Sequence, residues 1–170
     1  MADTDEPWET APLHAAHETG PFRCGRNPLD LYIRKWALLN QQEDIGRTFV
    51  LVRSQQPRVW GYYTISTSKI AKASLPIPEQ SSANYPVPAI LVGKLAVDRR
   101  VQGKDLGEFL LMDALYRCRL IAEQIAVRGV EVDALDEQAE TFYRQYGFQR
   151  LTDRPLHLYL SMGVIRRLGG

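Results

Sequence analysis

One stretch of the chain brings together residue types that chemistry can use. Gly93-Lys94-Leu95-Ala96-Val97-Asp98-Arg99-Arg100-Val101-Gln102-Gly103-Lys104-Asp105-Leu106-Gly107 reads as a strand that ends in a basic, glycine-containing loop, with a long helix starting directly after it. That order aims free backbone N–H groups and the positive end of a helix at one point, which is how a phosphate site is built. Gly103 and Gly107 permit close backbone approach and unusual dihedrals. Arg99, Arg100 and Lys104 add positive charge. Read alone, the same residues also fit an ordinary strand–helix connection with solvated arginines. Two other phosphate motifs are excluded: no Gly-Lys-Ser/Thr ends the loop, and the three-glycine spacing of a dinucleotide turn is missing.

A second stretch runs Asp136-Glu137-Gln138-Ala139-Glu140-Thr141-Phe142-Tyr143-Arg144-Gln145-Tyr146-Gly147-Phe148. Phe142 and Phe148 have the character of core residues. Tyr143 follows Phe142 directly, so on a helix it points about 100° away, where its hydroxyl can reach a cleft. An amphipathic surface tyrosine is the plain alternative. The three histidines, His14, His17 and His157, show no catalytic spacing, which leaves solvated or structural roles. Cys24 and Cys118 are too few and too far apart for a disulfide framework. They share no zinc-like spacing with histidine, so no metal site is expected. Cys118 falls in a helical core pattern. Cys24 reads as a small packing residue, since thiol reactivity needs a lowered pKa.

These residues need elements to hold them. Asn27-Pro28-Leu29-Asp30 signals a helix start, with Asn27 as N-cap, Pro28 at the first position and Asp30 in the first turn. Leu29, Tyr32, Ile33, Trp36 and Ala37 follow at helical spacing and are expected to share a buried face, with Arg34 and Lys35 opposite. Thr48–Val52 and Val59–Ile65 read as strands joined by a hairpin turn at Gln55-Gln56-Pro57-Arg58. Lys69–Pro88, with four prolines, reads as a long surface loop with room for a short helix. Ala89–Val97 is strand-like. Gly107–Ile125 is the longest helix pattern, with Leu110, Leu111, Ala114, Cys118, Ile121, Ala122 and Ile125 as its apolar stripe. Asp113 with Arg117, and Arg119 with Glu123, are spaced to pair on its wet side. Val130–Ala134 is the next strand. Asp136 caps a helix to about residue 145, and Gly147 stops it. Phe148–Leu151 and Leu156–Met162 close the pattern as strands.

The 170 residues suit one domain, expected over residues 11–170 behind a flexible tail at 1–10. The composition, 45% hydrophobic and 24% charged, is that of a globular protein. A formal net charge of +1 excludes polyanion binding by the molecule as a whole, so any nucleic-acid contact must rest on a local basic patch. No apolar run approaches the roughly 20 residues that span a bilayer, and the polar, acidic N-terminus is unlike a secretory signal. A reduced, cytoplasmic protein is expected, with no membrane partner.

Together the two chemical stretches resemble the GNAT family of N-acetyltransferases. In that family a loop of pattern Arg/Gln-x-x-Gly-x-Gly/Ala binds the pyrophosphate of coenzyme A. Here it reads Arg100-Val101-Gln102-Gly103-Lys104-Asp105, with Asp105 in place of the second glycine. Phe142-Tyr143, followed by Gly147-Phe148, resembles the family's closing helix. The resemblance implies one α/β (α+β) domain with a mixed, mostly antiparallel sheet of about six or seven strands and flanking helices. It implies acetyl-CoA as acyl donor, with Leu95, Ala96 and Val97 holding the pantetheine arm. Arg100, Gln102, Gly103, Lys104, Asp105, Leu106 and Gly107 would take the pyrophosphate, and Asp136 and Phe142 would also serve the cofactor. Tyr143 would protonate the departing thiolate.

A narrower resemblance extends upstream. Phe22-Arg23-Cys24-Gly25, Leu29-Asp30, Gly61-Tyr62-Tyr63 and Leu95-Ala96-Val97-Asp98 are similar to the GNAT toxins of type II toxin–antitoxin pairs, the TacT and AtaT group. That likeness implies acetylation of the α-amine of aminoacyl-tRNA, a ribbon-helix-helix antitoxin as partner, and a homodimer. Arg34, Lys35 and Lys94 are then candidate contacts to the RNA. The shortage of obvious bases near the motifs agrees with an α-amine acceptor, whose pKa of about 7.7–8.0 leaves a useful neutral fraction at pH 7. A GNAT enzyme for a small or protein amine, and an acyl-CoA-binding module weakened at Asp105, stay open as alternatives.

Overall fold

A computed structural model describes residues 6–76, 79–80, 82 and 84–169. Among these residues, strands β1 (Trp8–Pro12), β2 (Arg47–Arg53), β3 (Gly61–Ile70), β4 (Val87–Val97), β5 (Gly129–Asp133), β6 (Gln149–Arg150) and β7 (His157–Ser161) form one sheet. Its order is β1-β2-β3-β4-β5-β7-β6. β1 with β2, β2 with β3, β5 with β7 and β6 with β7 pair antiparallel, while β4 and β5 pair parallel. This is the mixed, mostly antiparallel sheet that the family resemblance implies. The helices are α1 (Asn27–Leu31), α2 (Ala37–Gln42), α3 (Leu106–Ile121), α4 (Glu137–Arg144) and α5 (Met162–Leu168). α3 lies in the crossover that a parallel β4–β5 pair requires. The chain divides into two compact units, Met1–Ser66 with Lys94–Ala114, and Thr67–Gly93 with Leu115–Gly170.

In the first unit, β2 is buried from Thr48 to Val52, so both faces of the strand are covered and no polar alternation shows. The hairpin between β2 and β3 is closed as expected, with Gln55 in the left-handed region (φ 61°) and Gln56 N–H on the Arg53 carbonyl at 2.8 Å. The tail expected at residues 1–10 is shorter. Trp8, Glu9 and Thr10 pair with Arg53, Val52 and Leu51, and residues 1–5 lie outside the described residues. Five residues ending in proline carry too little period-two pattern to announce a strand; the edge of β2 creates it.

The first helix also departs from expectation. Its N-cap is Arg26, one residue earlier than Asn27, and no side chain caps it. Asp30 is buried instead and accepts the Cys24 N–H at 2.7 Å. Residues Tyr32–Trp36 form a π-helical turn, closed by the Ala37 N–H on the Tyr32 carbonyl. The extra residue in that turn rotates the face that follows. Ile33 and Ala37 are therefore buried, while Trp36, expected inside, is 43% exposed. The core of this unit gathers Leu13, Phe22, Ile33, Ala37, Val50, Val52, Val59, Tyr62 and Ala96. Asp113, expected on the wet side, is half-buried. It accepts hydrogen bonds from the Tyr63 hydroxyl at 2.6 Å and the Thr10 hydroxyl at 3.0 Å, because a buried phenol needs an acceptor.

In the second unit, β5 is buried from Gly129 to Val132 and pairs along its length with β7. α3 ends at Ile121, and Ile125, expected on its stripe, is 64% exposed. Periodicity shows an apolar face but not where its packing surface stops. The loop expected over residues 69–88 begins after Ile70, contains a short helical turn at Lys72–Ser74, and gives way to β4 at Val87; Ile77, Pro78, Ser81 and Ala83 lie outside the described residues. The last strand ends at Ser161, whose hydroxyl accepts the Val164 N–H at 3.2 Å and starts α5, a helix the sequence pattern did not announce.

His157 is structural. Its Nε2 lies 2.6 Å from Glu131 and its Nδ1 2.8 Å from Asp153, and the Ser68 hydroxyl donates to the second oxygen of Glu131. Both His157 and Glu131 are buried. Removing one member of such a pair strands a buried charge, at a cost of about 3–5 kcal/mol. His157→Phe is therefore expected to lower the unfolding free energy by that amount, read as a lower urea midpoint, and an unchanged midpoint would show that Glu131 finds another partner.

Candidate active site

β4 outruns its parallel neighbour β5. Its ladder with β5 covers Ala89–Val92, yet the strand continues to Val97. Ala96 is buried, while Leu95 and Val97 are half-buried. Gly61 on β3 leaves room here, since a Cβ at that position would lie 3.0 Å from the Ala96 carbonyl oxygen.

Asp98 turns the chain out of β4. It is fully buried, and its carboxylate accepts the Arg100 N–H at 2.9 Å and the Arg23 N–H at 3.1 Å. A single helical turn follows at Arg99–Val101. Gln102 does not present its amide outward; Nε2 donates to the carbonyls of Val97 (2.9 Å) and Cys24 (3.0 Å). Gly103 and Asp105 both adopt positive φ, 82° and 62°. Aspartate tolerates this region better than most residues, so Asp105 keeps the backbone form that glycine has in the family pattern. Its carboxylate is exposed and pairs with neither Lys104 nor Arg100 among the described residues. Its carbonyl accepts the Phe109 N–H at 3.0 Å and opens α3. Leu106 is buried and Gly107 half-buried, so both offer backbone rather than side chain. Exposed Arg99, Arg100 and Lys104 surround a helix start whose first N–H groups have no intrahelical acceptor. An arrangement of this kind can receive an anion.

The three basic residues proposed from the sequence sit in this unit, each with a local partner. Lys94 Nζ lies over the Tyr32 ring at 4.2 Å, and burial holds its pKa below the ordinary lysine value. Lys35 lies over Trp36 at 5.0 Å, and Arg34 donates to the Asp30 carbonyl at 3.1 Å. The structure thus brings Lys94 to the helix that carries Arg34 and Lys35.

In the second unit, Asp136 caps α4 as expected, accepting the Ala139 N–H at 2.9 Å. The aromatic pair is the reverse of the sequence reading. Tyr143 is the buried member, 6% exposed, and Phe142 is half-buried. The Tyr143 ring packs edge-on between Phe142 and Phe148, with centroids at 5.2 and 5.4 Å. Burial pushes its phenol pKa well above the ordinary value, and among the described residues its hydroxyl has no hydrogen-bond partner. The side chain is a protonated phenol whose proton is uncommitted.

Asp98 and Asp30, quoted in the sequence motifs but given no role at the site, are buried carboxylates that order this region. The only signal was a charged residue closing an apolar strand in Leu95-Ala96-Val97-Asp98.

A family model described as an acetyltransferase (GNAT) domain matches residues 77–157. The chain is 39% identical over 155 residues to a protein of Mycobacterium tuberculosis named tRNA-acetylating toxin, a match covering 91% of this chain and 92% of that one. Its fold is that of AtaT complexed with acetyl-methionyl-tRNAfMet, with a TM-score of 0.89 and 27% identity over 96% of this chain and 100% of the other. A tyrosine-to-phenylalanine mutant of AtaT, bound to the C-terminus of the antitoxin AtaR and acetyl-CoA, gives a TM-score of 0.83 and 25% identity over 95% and 98% of the two chains.

Cys24 lies beside the loop but is not a nucleophile. Burial first, then its hydrogen bond with Asp30, pushes the thiol pKa up to about 12. At pH 8 only about one thiol in ten thousand is then ionised, and thiolate is the reactive form. Iodoacetamide at pH 8 is expected to leave Cys24 unmodified in the folded protein by mass spectrometry; rapid labelling would contradict the burial.

Proposed function

The chain belongs to the GNAT acetyltransferase family, and we propose that it is a toxin that transfers the acetyl group of acetyl-CoA to the α-amine of the amino acid carried by a charged tRNA, which blocks translation. The observation that carries this reading is the 39% identity to a tRNA-acetylating toxin across nine-tenths of both chains. The likeness to AtaT with its acetylated tRNA supports the same acceptor.

In this reading the anion-binding loop takes the pyrophosphate of acetyl-CoA. Backbone N–H groups of Gly103 to Gly107 and the start of α3 supply the donors, and Arg100 and Lys104 the charge. Gln102 acts from behind by bracing the loop. Leu95, Ala96 and Val97 hold the pantetheine arm through the part of β4 that its β5 ladder leaves free, and a backbone N–H there polarises the thioester carbonyl. Asp136 and Phe142 shape the cofactor's surroundings from α4. The neutral amine attacks the carbonyl carbon, the C–N bond forms and the C–S bond breaks. Tyr143 gives its proton to the departing sulfur, and the proton shed by the amine restores the phenol through water. Arg34, Lys35 and Lys94 contact phosphates of the acceptor stem. The protein works in the cytoplasm as a homodimer, held inactive by a ribbon-helix-helix antitoxin.

The decisive test is incubation of labelled acetyl-CoA with total charged tRNA. Label is expected on the α-amine of one or a few aminoacyl-tRNAs; label only on small amines or protein would overturn the acceptor.

Tyr143→Phe keeps the ring and deletes the proton. Loss of general-acid help is expected to slow turnover by about 10²–10⁴-fold, with acetyl-CoA affinity nearly unchanged. Because burial raises the Tyr143 pKa, the protonated acid persists to higher pH than a free tyrosine. The wild-type rate should therefore rise as the amine deprotonates near about pH 8 and show no loss from Tyr143 below about pH 10. Near-normal turnover by Tyr143→Phe, or a falling limb near neutrality, would assign the acid elsewhere.

A further inference from the structure

Asp98 is the most completely engaged buried charge in the first unit. One carboxylate oxygen accepts the Arg100 N–H at 2.9 Å and the other the Arg23 N–H at 3.1 Å, while its own N–H donates to the Trp60 carbonyl at 2.8 Å. The contact is reinforced on both sides. Arg99 N–H donates to the Arg23 carbonyl at 2.8 Å, and the Gln102 amide reaches the Cys24 carbonyl at 3.0 Å. The next peptide N–H along, that of Cys24, goes to buried Asp30 on α1 at 2.7 Å. Two successive N–H groups, Arg23 and Cys24, are thus held by two buried carboxylates from different elements. None of these groups faces out to meet a ligand, yet together they fix where the chain from Arg99 to Asp105 runs.

We infer that Asp98 is a positioning residue for acetyl-CoA: it locks the loop Arg99–Asp105 onto the Arg23–Cys24 backbone in the conformation that receives the pyrophosphate, with Gln102 as a second brace. This rests on the proposed cofactor site and adds the residues that hold it ready. A loop held in its bound form loses less conformational freedom when the phosphates arrive. Loosening it raises the concentration of acetyl-CoA required and leaves the chemical step to Tyr143 and β4.

Asp98→Asn keeps the shape of the side chain but turns an N–H₂ toward one of two N–H donors. A hydrogen bond to a charged acceptor lost in this way corresponds to a change of about tenfold or more. The expected result is a KM for acetyl-CoA, and a Kd by calorimetry, raised about tenfold, with kcat at saturation within about threefold of wild type. Gln102→Met removes both carbonyl braces from an exposed position and is expected to shift KM in the same direction by less. It also serves if Asp98→Asn fails to fold. A structural role alone would lower the folded fraction and kcat together and leave KM in place. Unchanged KM in a folded Asp98→Asn, or in Gln102→Met where Asp98→Asn does not fold, or a fall in kcat alone, overturns the inference. Wild-type protein that binds no acetyl-CoA overturns the cofactor site itself, whereas wild-type binding with unaffected variants overturns only the role of Asp98.

Discussion

A buried carboxylate must be surrounded by donors, and at position 98 that requirement organises the basic loop of the first unit. An unpaired charge in such a place costs several kcal/mol, so the chain can settle only where Arg23 and Arg100 offer their N–H groups. The consequence runs outward. Arg23 held at one end and Arg100 at the other bring the segment before α1 against the turn after β4. Gln102 then finds two carbonyls within reach, and Gly103 and Asp105 absorb the left-handed dihedrals needed to enter α3. Around the helix start that results, Arg99, Arg100 and Lys104 are exposed, while the Asp98 carboxylate is turned inward.

β4 has two duties that a uniform strand cannot meet. As far as Val92 it is a sheet strand with a parallel partner; from there to Val97 it keeps strand form beyond the end of that ladder. Backbone groups that lose a ladder partner need another one, and at the end of this segment the Gln102 amide supplies it to the Val97 carbonyl. The second unit is organised differently. Tyr143 is packed between aromatic rings with its phenol unspoken for, which keeps it protonated and holds its rotamer. Charge in this unit is gathered in the Glu131, His157 and Asp153 set that closes β5 against β7. That cluster satisfies its own members and so does structural work.

Much of this was legible before any coordinates. Asp136 capping α4, Gly147 ending it, the hairpin through Gln55 and the long α3 all follow from local chemistry, which short-range sequence carries well. The basic glycine loop and the Phe-Tyr pattern pointed to a GNAT acetyltransferase, and the family assignment agrees. Other readings failed where the deciding partner is distant in sequence. β1 exists because β2 offers an edge, and Asp113 is half-buried where Tyr63 needs an acceptor; Trp36 is outside for a local reason, the π-helical turn that shifts the face by one residue.

Most of the elements, the motif order and the chemical types in the two motifs follow from residues within a few positions of one another, and those the linear pattern carries; β1 and α5 it did not announce. Only the tertiary structure decided which charged groups are buried and which aromatic points inward. Phe142 and Tyr143 are adjacent and both suit a core, and nothing local chooses between them; the position of Phe148 does. Asp98, Asp30, Asp113 and Glu131 look alike in sequence to any solvated acid. Their roles depend on donors supplied from as far as 103 residues away, as with Thr10 and Asp113, and long-range pairing is the information that a linear pattern does not contain.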